Sequence, residues 1–339
     1  MPRLRHVDCA GPGMTRRRQG RGFSYLDEQG VPIRDEEVLE RIASLAIPPA
    51  WRDVWICPQA NGHLQAVGTD DAGRRQYLYH PVWRAHRDRE KFENMLAFGR
   101  RLPTVRKSVR GLLRRDGLSR ERVLAGAVGL LDRGLFRVGS EEYTDENGSY
   151  GLATLERRHV GLTGKSIVFD YEGKTGKQQT REVVDPALVR LAGELMRIRR
   201  RDPRFLAYRR GGRLVDVRAG DINEFVKELA GNGFSAKDFR TWHATVLAAV
   251  SLAVAHSSEG PSRRKRAVVE AIRETSDSLG NTPAVCRASY IDPRVFDRFT
   301  AGNTIARTLT RIGWSPPKPL SDAKRNELER AVLDLLDAG

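Results

Sequence analysis
Cysteine is scarce in this chain, and so is anything that would hold a metal. Three cysteines, Cys9, Cys57 and Cys286, stand far apart among 339 residues. An odd, scattered set excludes a disulfide framework and a cysteine-rich zinc site. Of the seven histidines, His243 and His256 lack companions at ligand spacing. Neither a metal nor a cofactor is implied. Apolar runs of membrane-spanning length are missing, and no secretory h-region follows the first residues. The expectation is a soluble cytoplasmic protein with no membrane partner. A nucleotide loop is missing too. "GKS" at Gly164–Ser166 and "GKT" at Gly173–Thr175 imitate one. A P-loop needs an earlier glycine, and His159 and Val168 stand at those places.

Acidic residues are outnumbered. Lys+Arg is 59 against 43 Asp+Glu, a net charge of +16, with pI near 10.2. That excess predicts a polyanionic partner, nucleic acid first. Arginine dominates the cations, which suits phosphate, because one guanidinium can bind two oxygens.

Residues 1–22 are basic and glycine-rich, with "TRRRQGRG" at Thr15–Gly22. They read as a flexible basic arm. "DEEVLERIASLAI" (Asp35–Ile47) is an amphipathic helix. Short strand-like pieces follow at Asp53–Cys57, His63–Asp70 and Arg75–His80, parted by turn residues. After Trp83 the pattern becomes helical, so a linker is expected near residues 81–90. Ser119 caps one helix, and Asp185 with Pro186 opens another. Between them "SIVFDYE" and "QQTREVV" flank the turn "GKTGK" as a β-hairpin. The remainder reads as mostly helical, with no internal repeat. The expected fold class is α+β. A small β-rich N-terminal domain (1–85) precedes a larger, mainly helical domain with a hairpin or small sheet (86–339).

Four places attract chemistry. Arg137 sits among apolar residues just past a helix-ending Gly134. Lys174 and Lys177 lie at the hairpin tip, where spacing does not choose between them. Arg240 falls in the first two turns of a helix opened by Ser235-x-x-Asp238, a capping signature. An arginine there is well placed for an anion. Tyr290 ends the short helix of "SLGNTPAVCRASYIDP" (Ser278–Pro293), which Thr282 caps and Pro283 opens. Taken singly, each has a bland reading as packing, ion pair or solvated charge.

Together they resemble something definite. The order Arg137, Lys174, Arg240, Asn281, Tyr290 is similar to the catalytic series of type IB DNA topoisomerases, in the poxvirus-like and bacterial branch. The carrying strings are "FRVGSEEY", "YEGKTGK", "KDFRTWH" and the Tyr290 helix. "GRRQYLYH" resembles that branch's DNA-contacting segment, and "RDREKF" its linker helix. The resemblance runs from about Pro48 to Ile305.

The resemblance implies a transesterification on duplex DNA without ATP or an obligatory metal. Tyr290 would be the nucleophile, Arg137 and Arg240 would face the non-bridging phosphate oxygens, and Lys174, favoured over Lys177 by the family pattern, would be the general acid. Asn281 stands where most of the family carries histidine. An amide can donate a neutral hydrogen bond but cannot shuttle a proton, so phosphate positioning is the implied role. Arg74, Arg75, Gln76, Tyr77, Tyr79 and Tyr143 are implied DNA contacts. The two domains would close on duplex DNA as a C-shaped clamp, and a monomer in the nucleoid would suffice. Two rivals remain. A tyrosine recombinase usually has histidine shortly before the second arginine, where Lys237-Asp238-Phe239 stand here. An architectural DNA-binding protein would not need the intact tyrosine and arginines.

Overall fold
The computed structural model describes residues 3–142, 144, 148–199, 201–255, 261–316 and 319–338. Alternating side chains build its first sheet. Strands β1 (Met14–Gln19), β2 (Gly22–Leu26), β3 (Arg52–Ile56), β4 (Leu64–Thr69) and β5 (Arg75–Tyr79) pair antiparallel in the order β2-β1-β3-β4-β5. Helix α1 (Glu36–Ser44) follows β2. Asp35 caps it, accepting from Glu37 N at 3.0 Å and Val38 N at 3.3 Å. Met14, Ile42, Val54, Ile56 and Ala66 form the core here, with Trp51 and Leu78 against them.

One expectation fails in this sheet. The stretch read as a flexible arm over residues 1–22 contains β1 and the start of β2. Its basic composition conceals a strand that buries Met14 and holds Arg16 through carbonyls. Arg16 Nη2 donates to Pro48 O (3.0 Å) and Trp51 O (2.6 Å), and its guanidinium lies 4.1 Å above the Phe23 ring. Nor is there an irregular linker near residues 81–90. Helix α2 (Pro81–Leu113) runs unbroken for 33 residues. Proline at a helix's first position loses no hydrogen bond, and no glycine follows it before Gly99.

By internal packing the chain divides into two units, Met1–Phe92 and Glu93–Gly339. The second is mainly helical. Helix α3 (Arg120–Gly134) is its axis, buried along most of its length. It packs on α4 (Pro186–Met196), α5 (Ala219–Ala230), α6 (Ala236–Val254) and strand β8 (Lys177–Val183). Strands β6 (Val160–Leu162), β7 (Ile167–Gly173) and β8 form a three-stranded antiparallel sheet. A second hairpin, β9 (Ala207–Arg210) with β10 (Arg213–Asp216), lies within the stretch that the sequence suggested was mostly helical. Then come α7 (Pro261–Leu279), α8 (Pro283–Ser289), α9 (Arg294–Thr300), α10 (Ala306–Ile312) and α11 (Asp322–Asp337). The fold class is α+β, as expected. Among the described residues no helix is long and apolar enough to cross a membrane.

Charge is also buried in this unit. Arg106 on α2 donates to Asp132 (2.9 and 2.8 Å) and to Glu329 (2.8 and 2.7 Å). Arg325 adds a 3.0 Å contact to Asp132. His243 Nε2 lies 3.3 Å from the same carboxylate. These paired charges tie α2, α3 and α11 together, and His243 of α6 packs beside them, so it has a structural setting.

Candidate active site
Helix α3 ends because Leu135 adopts a left-handed conformation (φ 56°). The chain then turns out into Phe136, which is buried, and Arg137, which is half-buried. Leu152 N donates to Arg137 O at 2.8 Å, and Ala153 N to Val138 O at 2.7 Å. Gly139 (φ 78°) and Gly151 allow this close approach: a Cβ on Gly139 would stand 2.8 Å from the Gly151 Cα. The Arg137 backbone is therefore fixed, and its Nη2 donates to Asn281 Oδ1.

Arg240 occupies the second turn of α6. The capping box forms as the sequence suggests, with Ser235 N donating to Asp238 Oδ2 at 2.8 Å. Arg240 is only 4% exposed. Carbonyl oxygens hold its fork: Nη1 donates to Leu135 O, and Nη2 to Leu279 O at 2.8 Å. Burial, and after it the Arg137 charge, push its guanidinium down to about 10. It remains a cation at neutral pH, held where an anion would lower its energy.

Asn281 follows Gly280 at the end of α7, and its N–H donates to Ser276 O at 3.0 Å. Because Oδ1 accepts from Arg137, the amide's NH₂ is directed away from that arginine. Nδ2 is buried and meets no acceptor among the described residues. A donor in that condition is costly unless an acceptor joins it.

Thr282 caps α8, accepting from Val285 N at 3.3 Å, and Tyr290 closes it, donating N–H to Cys286 O at 2.9 Å. The buried Thr245 on α6 fastens this end. Its Oγ1 donates to Tyr290 O (3.3 Å) and accepts from Asp292 N (3.1 Å). Tyr290 is 9% exposed. Burial raises the phenol's pKa, but Arg240, Arg137 and Lys237 outweigh it and hold the phenol below its ordinary value.

Lys174 opens the 3₁₀ turn Lys174–Gly176 between β7 and β8. A cavity of about 510 Å³ is lined by Arg137, Lys174, Lys237, Arg240 and Tyr290, together with Tyr150 and neighbouring small residues. Lys177, paired with Gly173 at the root of β8, is not among its lining residues. Two residues of this wall escaped the sequence reading. Lys237 lies one helical turn before Arg240 on α6, a spacing that was legible. Tyr150 was not: its hydroxyl meets Arg158 Nη2 at 2.9 Å through tertiary folding. Four cations and a phenol with lowered pKa around one hollow can bind a phosphodiester and deliver a phenolate to it.

Five of the other expected contacts lie in the first unit. Tyr77 and Tyr79 share the open face of β5, 43% and 40% exposed, their rings 6.2 Å apart and nearly parallel. Arg75 is exposed on the same face, reaching Cys9 Sγ at 3.6 Å. Gln76 alternates with them and donates to Asp70 at 2.9 Å. Arg74 pairs with that carboxylate at 2.9 Å. Tyr143 lies outside the described residues.

Comparison with known proteins gives the family. Residues 80–310 match the family described as eukaryotic DNA topoisomerase I, catalytic core. Residues 22–70 match bacterial DNA topoisomerase IB, N-terminal domain. Among similar proteins is DNA topoisomerase 1B of Acanthamoeba polyphaga mimivirus, 28% identical over 82% of this chain and 85% of the relative. DNA topoisomerase 1 of rabbit fibroma virus is 23% identical over 87% and 94%. DNA topoisomerase 1B of vaccinia virus (strain Copenhagen) is 24% identical over 78% and 83%.

Proposed function
Because this chain belongs to the type IB DNA topoisomerases, we propose that it relaxes supercoiled duplex DNA by reversible transesterification at Tyr290. The observation that carries this is the meeting of Arg137, Lys174, Arg240 and Tyr290 on one cavity. Tyr290 Oη attacks a backbone phosphorus, and the bond to the 5′-oxygen breaks. The products are a 3′-phosphotyrosyl link and a free 5′-hydroxyl. That strand rotates about its intact partner, then its hydroxyl attacks the phosphotyrosyl and reseals the nick. One diester replaces another at each step, so no nucleotide need be hydrolysed.

The roles follow from charge and position. The phosphorane carries extra negative charge on its non-bridging oxygens, and Arg137 and Arg240 neutralise it. The pair also favours the phenolate of Tyr290. Lys174 protonates the departing oxygen. Asn281, with its amide oriented by Arg137, donates Nδ2 to a non-bridging oxygen. Both units contact the duplex as a clamp. In the first, Tyr77, Tyr79 and Arg75 meet bases and phosphates along the exposed β5 face, with Arg74 and Gln76 beside them. Tyr143 adds a contact in the second. A monomer performs the reaction in the cytoplasm, on nucleoid DNA.

Supercoiled plasmid with EDTA and no ATP tests the reading. Wild type should relax it without a second DNA site, and Tyr290→Phe should not. Binding without relaxation by wild type would favour an architectural role, and a need for paired sites would favour a recombinase.

A further inference from the structure
The junction from Ser278 to Asn281 links α7 to the nucleophile's helix, and three guanidinium groups grip it. Arg137 holds Asn281, and Arg240 holds Leu279 O at 2.8 Å. The third belongs to Arg181 on β8. Its Nη1 donates to Ser278 O at 2.5 Å, and its Nη2 to Gln179 Oε1 at 2.7 Å. It also lies near Tyr171 on β7, whose buried phenol its charge keeps from rising further. Gln179 in turn presses on Gly280. That residue is left-handed (φ 63°), and a Cβ there would stand 2.6 Å from Gln179 Oε1.

Arg181 differs from the other two in where it is rooted. It stands on the hairpin that carries Lys174, directly across from Phe169. Arg181 and Lys174 line the same narrow cleft with Arg137, Arg240, Tyr171 and Gly280. Both terminal nitrogens of Arg181 are engaged by protein oxygens, while its buried Nε meets no acceptor among the described residues.

We propose that Arg181 is a positioning residue that holds the Lys174 hairpin against the junction bearing Asn281 and Tyr290, so that the acid meets the leaving oxygen. This rests on the strand-transfer reading above. The junction keeps its grips from Arg137 and Arg240 when Arg181 is removed, whereas the hairpin loses the hydrogen bond from Arg181 to Ser278 O and keeps only the packing of Gln179 on Gly280. The step most exposed to that loss is proton transfer from Lys174 as the bond to the 5′-oxygen breaks. A misplacement of about 1 Å in such a step costs up to roughly a hundredfold in rate.

Single-turnover cleavage of two duplexes provides the test. One has the natural 5′-bridging oxygen, and the other has sulfur, which departs as a thiolate without needing a proton. Arg181→Ala should slow the oxygen duplex roughly tenfold or more and leave the sulfur duplex nearly unchanged, the pattern expected for loss of general-acid help. Lys174→Ala should behave alike, and the double variant should be no slower on oxygen than Lys174→Ala. Arg181→Lys, which keeps a donor for Ser278 O, should recover part of the oxygen rate. It carries the same comparison should the alanine variant misfold. Equal slowing on both duplexes, or no slowing on either, overturns the proposal. Failure of the reading beneath it looks different: wild type would cleave neither duplex, or Tyr290→Phe would cleave as well as wild type.

Discussion

The guanidinium carbon of Arg240 lies 5.5 Å from the centre of the Tyr290 ring, and both side chains are almost wholly buried. Two carbonyl oxygens fix the arginine from behind. The tyrosine is fixed through its own backbone by Thr245. A cation with no carboxylate partner among the described residues is thus set beside a phenol, the arrangement that phosphoryl transfer to tyrosine asks of a protein.

Arg240→Ala should lower the single-turnover cleavage rate by roughly 10²–10³, the scale for a preorganised charge donor. It also strips partners from Leu135 O and Leu279 O, which costs about 1–3 kcal/mol of stability. Thermal unfolding beside the kinetics separates the two. A variant as active as wild type would remove Arg240 from the chemistry.

The cleavage rate should rise with pH as Tyr290 ionises, and the rise should end below the range of an ordinary tyrosine, because cations hold that phenol down. Removing a cation raises the phenol. Arg137→Ala should therefore move the rising limb to higher pH as well as lowering the plateau. A pH–rate profile with an unmoved limb would contradict this.

Asn281→Ala should cost about 1–2 kcal/mol of transition-state stabilisation, the loss of one hydrogen bond to a charged oxygen. Asn281→Asp should be slower still. A carboxylate there pairs with Arg137 and repels the phosphate. The order of rates, wild type, then alanine, then aspartate, is the observable. An unchanged rate for alanine would take Asn281 out of the site.

Asp132 tests the interior rather than the site. Burial raises its carboxyl, but Arg325, Arg106 and His243 outweigh that and hold it well below the usual range. A depressed carboxyl stabilises the fold above its unfolded pKa, about 4, and that contribution fades as pH falls. Asp132→Ala should destabilise by about 3–5 kcal/mol at neutral pH, since it leaves buried cations unpaired. It should also weaken the acid dependence. Denaturant titrations at pH 7 and at about pH 2.5, below the unfolded carboxyl's pKa, measure both.

Local signals made part of this legible. Thr282-Pro283 announced the helix before Tyr290, and Ser235-x-x-Asp238 announced the one bearing Arg240. Each depends on hydrogen bonds within a few residues. What the sequence hid is of two kinds. Strand β1 was masked because arginines fill both its faces, and Arg16, on the face of Met14, is accommodated only by carbonyl partners that folding supplies. Lys174 and Lys177 looked equivalent at the hairpin tip. The strand register, Gly173 opposite Lys177, sends Lys174 into the turn. Arg181 gave no signal because its partner Ser278 O meets it only in the tertiary fold. Lys237 could have been found from its helical spacing to Arg240.

The most direct measurement stops the reaction on duplex DNA with denaturant and maps the covalent product by peptide mass spectrometry. The account predicts a nucleotide joined through its 3′-phosphate to the peptide containing Tyr290, with a 5′-hydroxyl on the released strand. Attachment at another residue, a 5′-phosphate link, or no adduct from a preparation that relaxes plasmid would contradict it.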